Sequence, residues 1–332
     1  MFVKKILGSN IHLPTIEMVS AFAPTNIALC KYWGKRDVEL NLPVTPSLSL
    51  TLPGKGTTTV LTVIDKPSDE IILNGSVIDP DSGFSKRIVE FLDLFRQKGL
   101  HFHIDTRNNI PSSAGLASSA SGFAALVEAL NLLFDWDLGD KQLSLLARIG
   151  SGSACRSLWQ GFVEWHRGED PEGLDSFAEP IESEWSDLRL GIIIVDDQTK
   201  SIGSREAMLR CQKTSCYYDA WPKKVEEDLT ALKAAIKEKD FQALGEISEN
   251  NALAMHAIML TAKPPVFYWN QGTHEVVKKV WELREAGLPV YFTQDAGANV
   301  KLLFEKKNTA VLKDHFPSLD VVTPFAQMEE TS

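Results

Sequence analysis

The most constraining stretch of this chain is Asn108 to Leu130, "NNIPSSAGLASSASGFAALVEAL", where a loop of small residues runs without a break into an apolar helix. Gly115 and the serines at 112, 113, 118, 119 and 121 leave little side-chain bulk, so backbone amides could close around an anion at the helix's positive end. Phe123, Leu126, Leu130 and Leu133 recur at helical spacing and would bury one face, fixing the loop on a rigid support. On composition alone, a Ser-rich turn capping an ordinary core helix reads the same way. The stretch has neither the Lys of "GxxxxGK[ST]" nor the "GxGxxG" that follows a strand, so neither standard nucleotide motif describes it.

At 332 residues the chain exceeds what one hydrophobic core usually organises, which favours two domains. A formal net charge of −10 argues against a nucleic-acid partner, so any anion site must be a local basic pocket. The first twenty residues carry too short an apolar run for a signal peptide and nothing downstream approaches a spanning length, so a cytoplasmic protein with no membrane partner is expected. Cys30, Cys155, Cys211 and Cys216 form no CxxC pair and are expected as reduced thiols. His101 and His103 alternate with Leu100, Phe102 and Ile104 as the solvent face of a strand does, which speaks against a metal pair.

In chain order, "MVSAFAPTNIALC" reads as a strand broken at Pro24, followed by a basic and aromatic cluster of Lys31, Tyr32, Trp33, Lys35 and Arg36. "LNLPVTPSLSLTL" and "GTTTVLTVI" alternate like two strands of a hairpin joined at "PGKG". A helix runs through "GFSKRIVEFLDLFRQKG", with Ile88, Phe91, Leu92 and Phe95 inward, Arg87 on the polar face and Gly99 as the stop. The strand "LHFHIDT" precedes the small-residue loop, and a second helix spans Lys141 to Ile149. "GSGSACRS" again offers close backbone approach, with Arg156 added, and Glu169 to Asp187 is the candidate boundary. Beyond it come an apolar strand at "LRLGIIIVDD" and a helix entrance at Ser204 and Arg205. Helices follow over Cys216 to Ile236, Phe241 to Met259 and Glu275 to Glu285. "PVYFTQDAGANVKLLFEK" reads as strand, tight turn and strand with Asp295 at the tip, although an Asp before Gly is by itself a routine turn former.

"PSSAGLASSAS" at Pro111 to Ser121 resembles the "PxxxGLxSSA" phosphate loop of the GHMP kinase superfamily. "APTNIALCKYWGKRD" at Ala23 to Asp37, "GSGSACRSLWQGFVEW" at Gly150 to Trp165 and "QDAGANV" at Gln294 to Val300 resemble the diphosphomevalonate decarboxylases within it, in that family's order. The resemblance implies a two-domain α/β (α+β) GHMP-kinase-like fold. A ribosomal-protein-S5-like domain is expected over residues 1–185 with the phosphate loop at 109–121, and a ferredoxin-like domain carrying Asp295 over 186–332. It implies MgATP-dependent decarboxylation of mevalonate 5-diphosphate to isopentenyl diphosphate, ADP, phosphate and carbon dioxide. Asp295, Lys31 and Arg156 match the catalytic positions: Asp295 would orient or deprotonate the 3-hydroxyl, Lys31 would support the transferring phosphoryl group, and Arg156 would grip the substrate carboxylate. Tyr32, Trp33, Gly34, Lys35, Arg87, Ser151, Gly152, Ser153, Ala154, Cys155, Arg156, Ser204 and Arg205 match the substrate side. Asn109, Pro111, Ser112, Gly115, Leu116, Ser118 and Ser119 match the ATP side. No residue is identified as a Mg²⁺ ligand, which suits a metal held largely by nucleotide phosphates. A homodimer is common among relatives. The loop reads "PSSAG" where many members have "PTAAG", and the first eighteen residues have no counterpart. A plain kinase and a non-catalytic phosphate-binding module are the rival readings.

Overall fold

The computed structural model describes residues 2–8, 12–110, 118–196 and 200–325, with only the backbone of Ser118 included. Residues 111–117, which hold most of the phosphate-loop motif, lie outside the described residues, as does Asp197.

A short helix, α1 (Phe2–Leu7), precedes β1 (Met18–Cys30), and a ribbon of β2 (Lys35–Asp37) with β3 (Leu42–Pro43) leads into β4 (Ser47–Ile64). Next come β5 (Glu70–Leu73), β6 (Ser76–Val77), α2 (Gly83–Leu92), β7 (His101–Asn108), α3 (Ser118–Leu133) and α4 (Asp140–Gly150). A 3₁₀ turn over Gly152–Arg156 joins α4 to β8 (Phe162–Trp165) and β9 (Ala178–Ile181). These strands form one sheet in the order β6-β5-β7-β4-β8-β9, with β1 also on β4. Strand β4 is its spine. One edge pairs with β1 from Thr62 opposite Met18 to Leu48 opposite Cys30; the other gives Thr57–Ile64 to β7 and Ser47–Leu50 to β8.

The second half contains β10 (Leu188–Ile193), α5 (Ser204–Thr214), α6 (Trp221–Glu238), α7 (Phe241–Leu260) and α8 (Gln271–Glu285). It continues through β11 (Val290–Thr293), β12 (Val300–Glu305), α9 (Thr309–His315) and β13 (Asp320–Val322). Its antiparallel sheet runs β11-β12-β10-β13, so "LRLGII" is an inner strand, as its unbroken apolar run implies.

Three of the apolar clusters among the described residues hold the layers together. Phe123, Leu126 and Leu130 of α3 face Phe91, Phe95, Phe102 and Ile104. Val277 and Val280 of α8 cover Val290, Phe292 and Leu302. The third joins the halves: Ile27, Leu29, Leu48 and Leu50 pack with Val225, Leu229 and Met255. Each such buried side chain contributes about 1.5–3 kcal/mol, so this seam is a continuous core and not a contact of two surfaces.

The structure corrects five local expectations. "PGKG" does not turn back: β4 runs straight through it, pairing with β1 on both sides, and a register shift lets Pro53, Gly54 and Lys55 bulge out opposite Pro24/Thr25. For the same reason β1 is not broken at Pro24, whose missing N–H falls at the irregularity where the ladder needs no donor. Helix α2 ends at Leu92, before Gly99, yet Phe95 stays buried because turn hydrogen bonds from Leu94 and Phe95 carry it back over the core. Helix α6 starts at Trp221 after a 3₁₀ turn, where Pro222 is accommodated in the first turn, and α8 starts earlier than expected, capped by Asn270.

Gly56 sits opposite Pro24, and a Cβ there would lie 2.1 Å from the carbonyl oxygen of Ala23. Since backbone must move to admit it, Gly56→Ala is expected to cost about 1–3 kcal/mol, whereas Gly83→Ala, with open space around it, should stay within about 0.5 kcal/mol of wild type in urea unfolding. Equal midpoints for the two variants would refute the close approach.

Candidate active site

The end of β1 and the turn between β11 and β12 meet at a buried ion pair. Lys31 donates from Nζ to Asp295 Oδ1 at 2.8 Å and to the Ala28 carbonyl at 2.6 Å. Its side chain is 2% exposed and that of Asp295 22% exposed. Burial lowers the Lys31 pKa, opposed by the charge of Asp295. Burial pushes the Asp295 carboxyl up, but Lys31, Lys301 and Lys200 outweigh it and hold the group at about 2. Asp295 is therefore a firmly ionised carboxylate.

The loop that follows Lys31 is pinned by side chains from the second half. Asn251 of α7 accepts from the Lys31 N–H at 2.8 Å, Tyr218 donates to the Trp33 carbonyl at 3.1 Å, and Gln212 of α5 bonds both the N–H and the carbonyl of Lys35. The Trp33 ring packs in the shared core. The Gly34 carbonyl takes the Val44 N–H. The Tyr32 ring lies over Gly152, where a Cβ would stand 2.8 Å from it, so the loop and the 3₁₀ turn close together only over a glycine.

Arg156 is buried at the end of that turn. It donates to Ser47 at 2.6 Å and to Asn26 at 3.3 Å, its Nε has no partner, and it forms no ion pair among the described residues. A buried guanidinium without a carboxylate is arranged for an anion from outside. Ser119, Ser151 and Ser153 form a chain of hydroxyls, with Oγ–Oγ separations of 3.3 and 3.5 Å. Ala154 and Cys155 are wholly buried packing residues, and burial pushes the Cys155 thiol up to about 12.

A second group of cations gathers at Lys35, Arg87 and Arg205. Lys35 is buried against Asn41 and brought down to about 8 by that burial and by Arg205 and Arg87. Arg87 lies over the Phe123 ring at 4.8 Å and donates to the Gly150 carbonyl at 2.5 Å; burial of its guanidinium and the charge of Arg205 lower its pKa. Arg205 is exposed in the first turn of α5, beside Ser204, with its guanidinium near the Val38 carbonyl. These cations act on one another, and among the described residues no carboxylate is a cause of the shifts at Lys35 or Arg87.

Asn109 engages the β4 bulge, accepting from the Gly56 N–H at 2.7 Å and donating to the Gly54 carbonyl at 2.6 Å; this fastens the entrance of the small-residue loop to the sheet. Pro111, Ser112, Gly115 and Leu116 lie outside the described residues, and Ser118 opens α3. A cavity of about 210 Å³ beside α3 is lined by Thr57, Phe84, Arg87, Ile104, Ser119 and Phe123, among others.

Four residues that the sequence reading missed also reach this centre. Lys301 stands 3.5 Å from Asp295 Oδ2, and Lys200, near the start of α5, is held at about 8 by burial and Lys301. His256 accepts from Trp269 Nε1 at 3.2 Å and is pushed down to about 4 by burial and Lys31, so it is neutral at pH 7. Asn251 is the fourth. A lone Lys in an apolar strand, or an Asn inside a helix, carries no periodicity that separates it from a surface residue.

Residues 23–178 match the diphosphomevalonate decarboxylase-like N-terminal domain, and residues 190–331 the mevalonate 5-diphosphate decarboxylase C-terminal domain. The diphosphomevalonate decarboxylase of Aspergillus fumigatus is 38% identical over 322 residues, covering 90% of this chain and 79% of the relative. The crystal structure of mevalonate diphosphate decarboxylase from Staphylococcus aureus superposes with a TM-score of 0.87 at 41% identity, covering 94% and 96% of the two chains. A structure described as MDDEF in complex with MVAPP, AMPPCP and magnesium superposes with a TM-score of 0.86 at 43% identity, covering 92% and 96%.

The Lys35 environment sets a pH signature. Without ligand, Lys35 loses its proton near pH 8; a bound polyanion favours the charged form, so binding above pH 8 takes up a proton. Calorimetric titration of inorganic diphosphate at pH 9, in buffers of different ionisation enthalpy, should show this uptake and its reduction in Lys35→Met. The same uptake in the variant would remove Lys35 from the anion site.

Proposed function

The chain belongs to the diphosphomevalonate decarboxylase family, and from that membership we propose how its own residues carry the reaction. The enzyme converts mevalonate 5-diphosphate and ATP to isopentenyl diphosphate, ADP, phosphate and carbon dioxide, the decarboxylation step of the mevalonate pathway, on a two-domain α/β GHMP-kinase-like fold. The observation that carries the residue assignment is Asp295, ionised at the tip of its turn and locked to Lys31 from the other half.

The tertiary hydroxide is a poor leaving group, so the γ-phosphoryl group is first moved from ATP to the 3-oxygen. Asp295 accepts a hydrogen bond from that hydroxyl and aims the oxygen at phosphorus. A carboxylate held at about 2 is a weak base, so the hydroxyl proton leaves late, once the oxygen has begun to bond phosphorus and turned acidic, and it passes to a phosphoryl oxygen, so that Asp295 is ionised for the next step. Lys31, beside Asp295, balances charge on the transferring group. The C3–O bond then breaks with the electron pair leaving on phosphate. The C1–C2 pair becomes the C2–C3 double bond, and the carboxylate departs as carbon dioxide. Asp295 stabilises positive character at C3 during that step, and Arg156 holds the carboxylate in line with the bond that breaks.

Lys35, Arg87 and Arg205 take the terminal diphosphate, and the hydroxyls of Ser151 and Ser153 face the same region. The cavity beside α3 is suited to the nucleoside, next to Ser119. Among the described residues no group of three His, Cys, Asp or Glu side chains stands together. Mg²⁺ would be carried on the nucleotide phosphates, where it would offset their charge, with the exposed Ser119 hydroxyl as the candidate protein ligand. The same reading divides the chain between residues 185 and 186 and takes the enzyme as a cytoplasmic homodimer, which sedimentation checks. No helix among the described residues is long and apolar enough to cross a membrane.

With purified protein, MgATP and mevalonate 5-diphosphate, ADP, phosphate and carbon dioxide should appear in equal amounts. ADP with a stable phosphorylated product and no carbon dioxide would show a plain kinase. Asp295→Asn should lower kcat about a hundredfold or more with substrate affinity within a few-fold. Arg156→Ala should also cost kcat about a hundredfold, because it frees the group that must be lost from its alignment. Near-normal turnover in either variant removes that residue from the chemistry.

A further inference from the structure

Asp295 is held from both sides. Lys31 takes Oδ1, and Lys301, projecting from β12, stands 3.5 Å from Oδ2 with its ammonium also 3.3 Å from the Asn299 carbonyl. The Lys301 side chain is 1% exposed and lies in a strand whose neighbours Val300, Leu302 and Leu303 are core residues. An ammonium in such a place loses its hydration, and a Met of similar length would fill the volume without that cost. Stability alone therefore gives no reason for a lysine here.

We propose that Lys301 is a positioning residue for the decarboxylation: by gripping Oδ2 opposite Lys31 on Oδ1, it fixes the plane in which the Asp295 carboxylate meets the 3-hydroxyl. This rests on the role given to Asp295 above. A carboxylate tethered at one oxygen can swing about its Cβ–Cγ bond; tethered at both, it presents one edge only. Reacting atoms held in a single alignment account for a large share of rate in such transfers.

The charged groups around Asp295 make the role measurable. They are Lys31 after β1, Lys301 in β12, Lys200 before α5, Arg156 in the 3₁₀ turn and His256 in α7, the last uncharged near neutrality. Lys301 also opposes the charge on Lys31. Removing it leaves Asp295 with one cation fewer and relieves Lys31, so the pKa values of both rise. Any limb of the pH profile that either group sets then moves to higher pH.

The test compares Lys301→Met and Lys301→Gln in steady-state kinetics. Both should lower kcat about tenfold or more with KM within about threefold, and move the acid limb of kcat/KM up by about one unit. Gln keeps a polar head without the charge, so a shift shared by both variants reads the charge and not the packing. In an Asp295→Asn background, Lys301→Met should cost less than about twofold further, because there is no carboxylate left to position. An unmoved acid limb, or an undiminished loss in the Asp295→Asn background, overturns the role of Lys301 and leaves that of Asp295 intact. Wild-type turnover in Asp295→Asn alone overturns the reading of Asp295, and the inference with it.

Discussion

The Lys31–Asp295 pair is the contact on which the rest of the structure depends. Its partners lie 264 residues apart, in different halves of the chain, and both surrender most of their water to meet. Such a pair survives burial only if its remaining valences are filled, and losing one partner typically costs about 3–5 kcal/mol. The fold fills them with the Ala28 carbonyl on Lys31 and Lys301 on Asp295. The apolar seam around Ile27, Leu29 and Met255 keeps the region closed, which is what makes the charges strong.

A chain with a net charge of −10 thereby builds a positive site. It does so by gathering Lys31, Lys301 and Lys200 around the single carboxylate of Asp295 and by resting two further cations on neutral groups, Arg156 on Ser47 and Asn26, and Lys35 on Asn41. Elsewhere acidic and basic residues pair in the ordinary way, as Arg284 does with Glu249 and Arg96 with Asp69. The depressed pKa values of Lys35 and Lys200 record the strain of that arrangement, which an anionic substrate relieves.

Much of this was legible in the chain because it was written locally. The Asp295 turn, the helix entrance at Ser204, the inner strand at Leu188 and the face of α3 each follow from a few consecutive residues. The resemblance in four blocks brought Lys31, Arg156 and Asp295 to notice, although spacing alone would have left Asp295 a turn former. What stayed hidden depends on pairing. "PGKG" is a turn signal, and only the partner strand β1, continuing past it, makes it a bulge. Lys301 and Asn251 look like surface residues until the opposite half is placed over them. Trp33 and Asn109 came from the family match; the structure places the ring of one in the shared core and the side chain of the other against β4.

The pinning of the Lys31–Lys35 loop has a consequence for biosynthesis. The acceptor for the Lys31 amide is Asn251, 220 residues later. At a translation rate of about 5–20 residues per second, the loop waits roughly 10–45 s between leaving the ribosome and gaining that partner. Over the same interval Leu48 and Leu50 lack the helices that cover them. The nascent N-terminal half therefore presents an apolar sheet face beside a loop not yet pinned, until α7 arrives to close it.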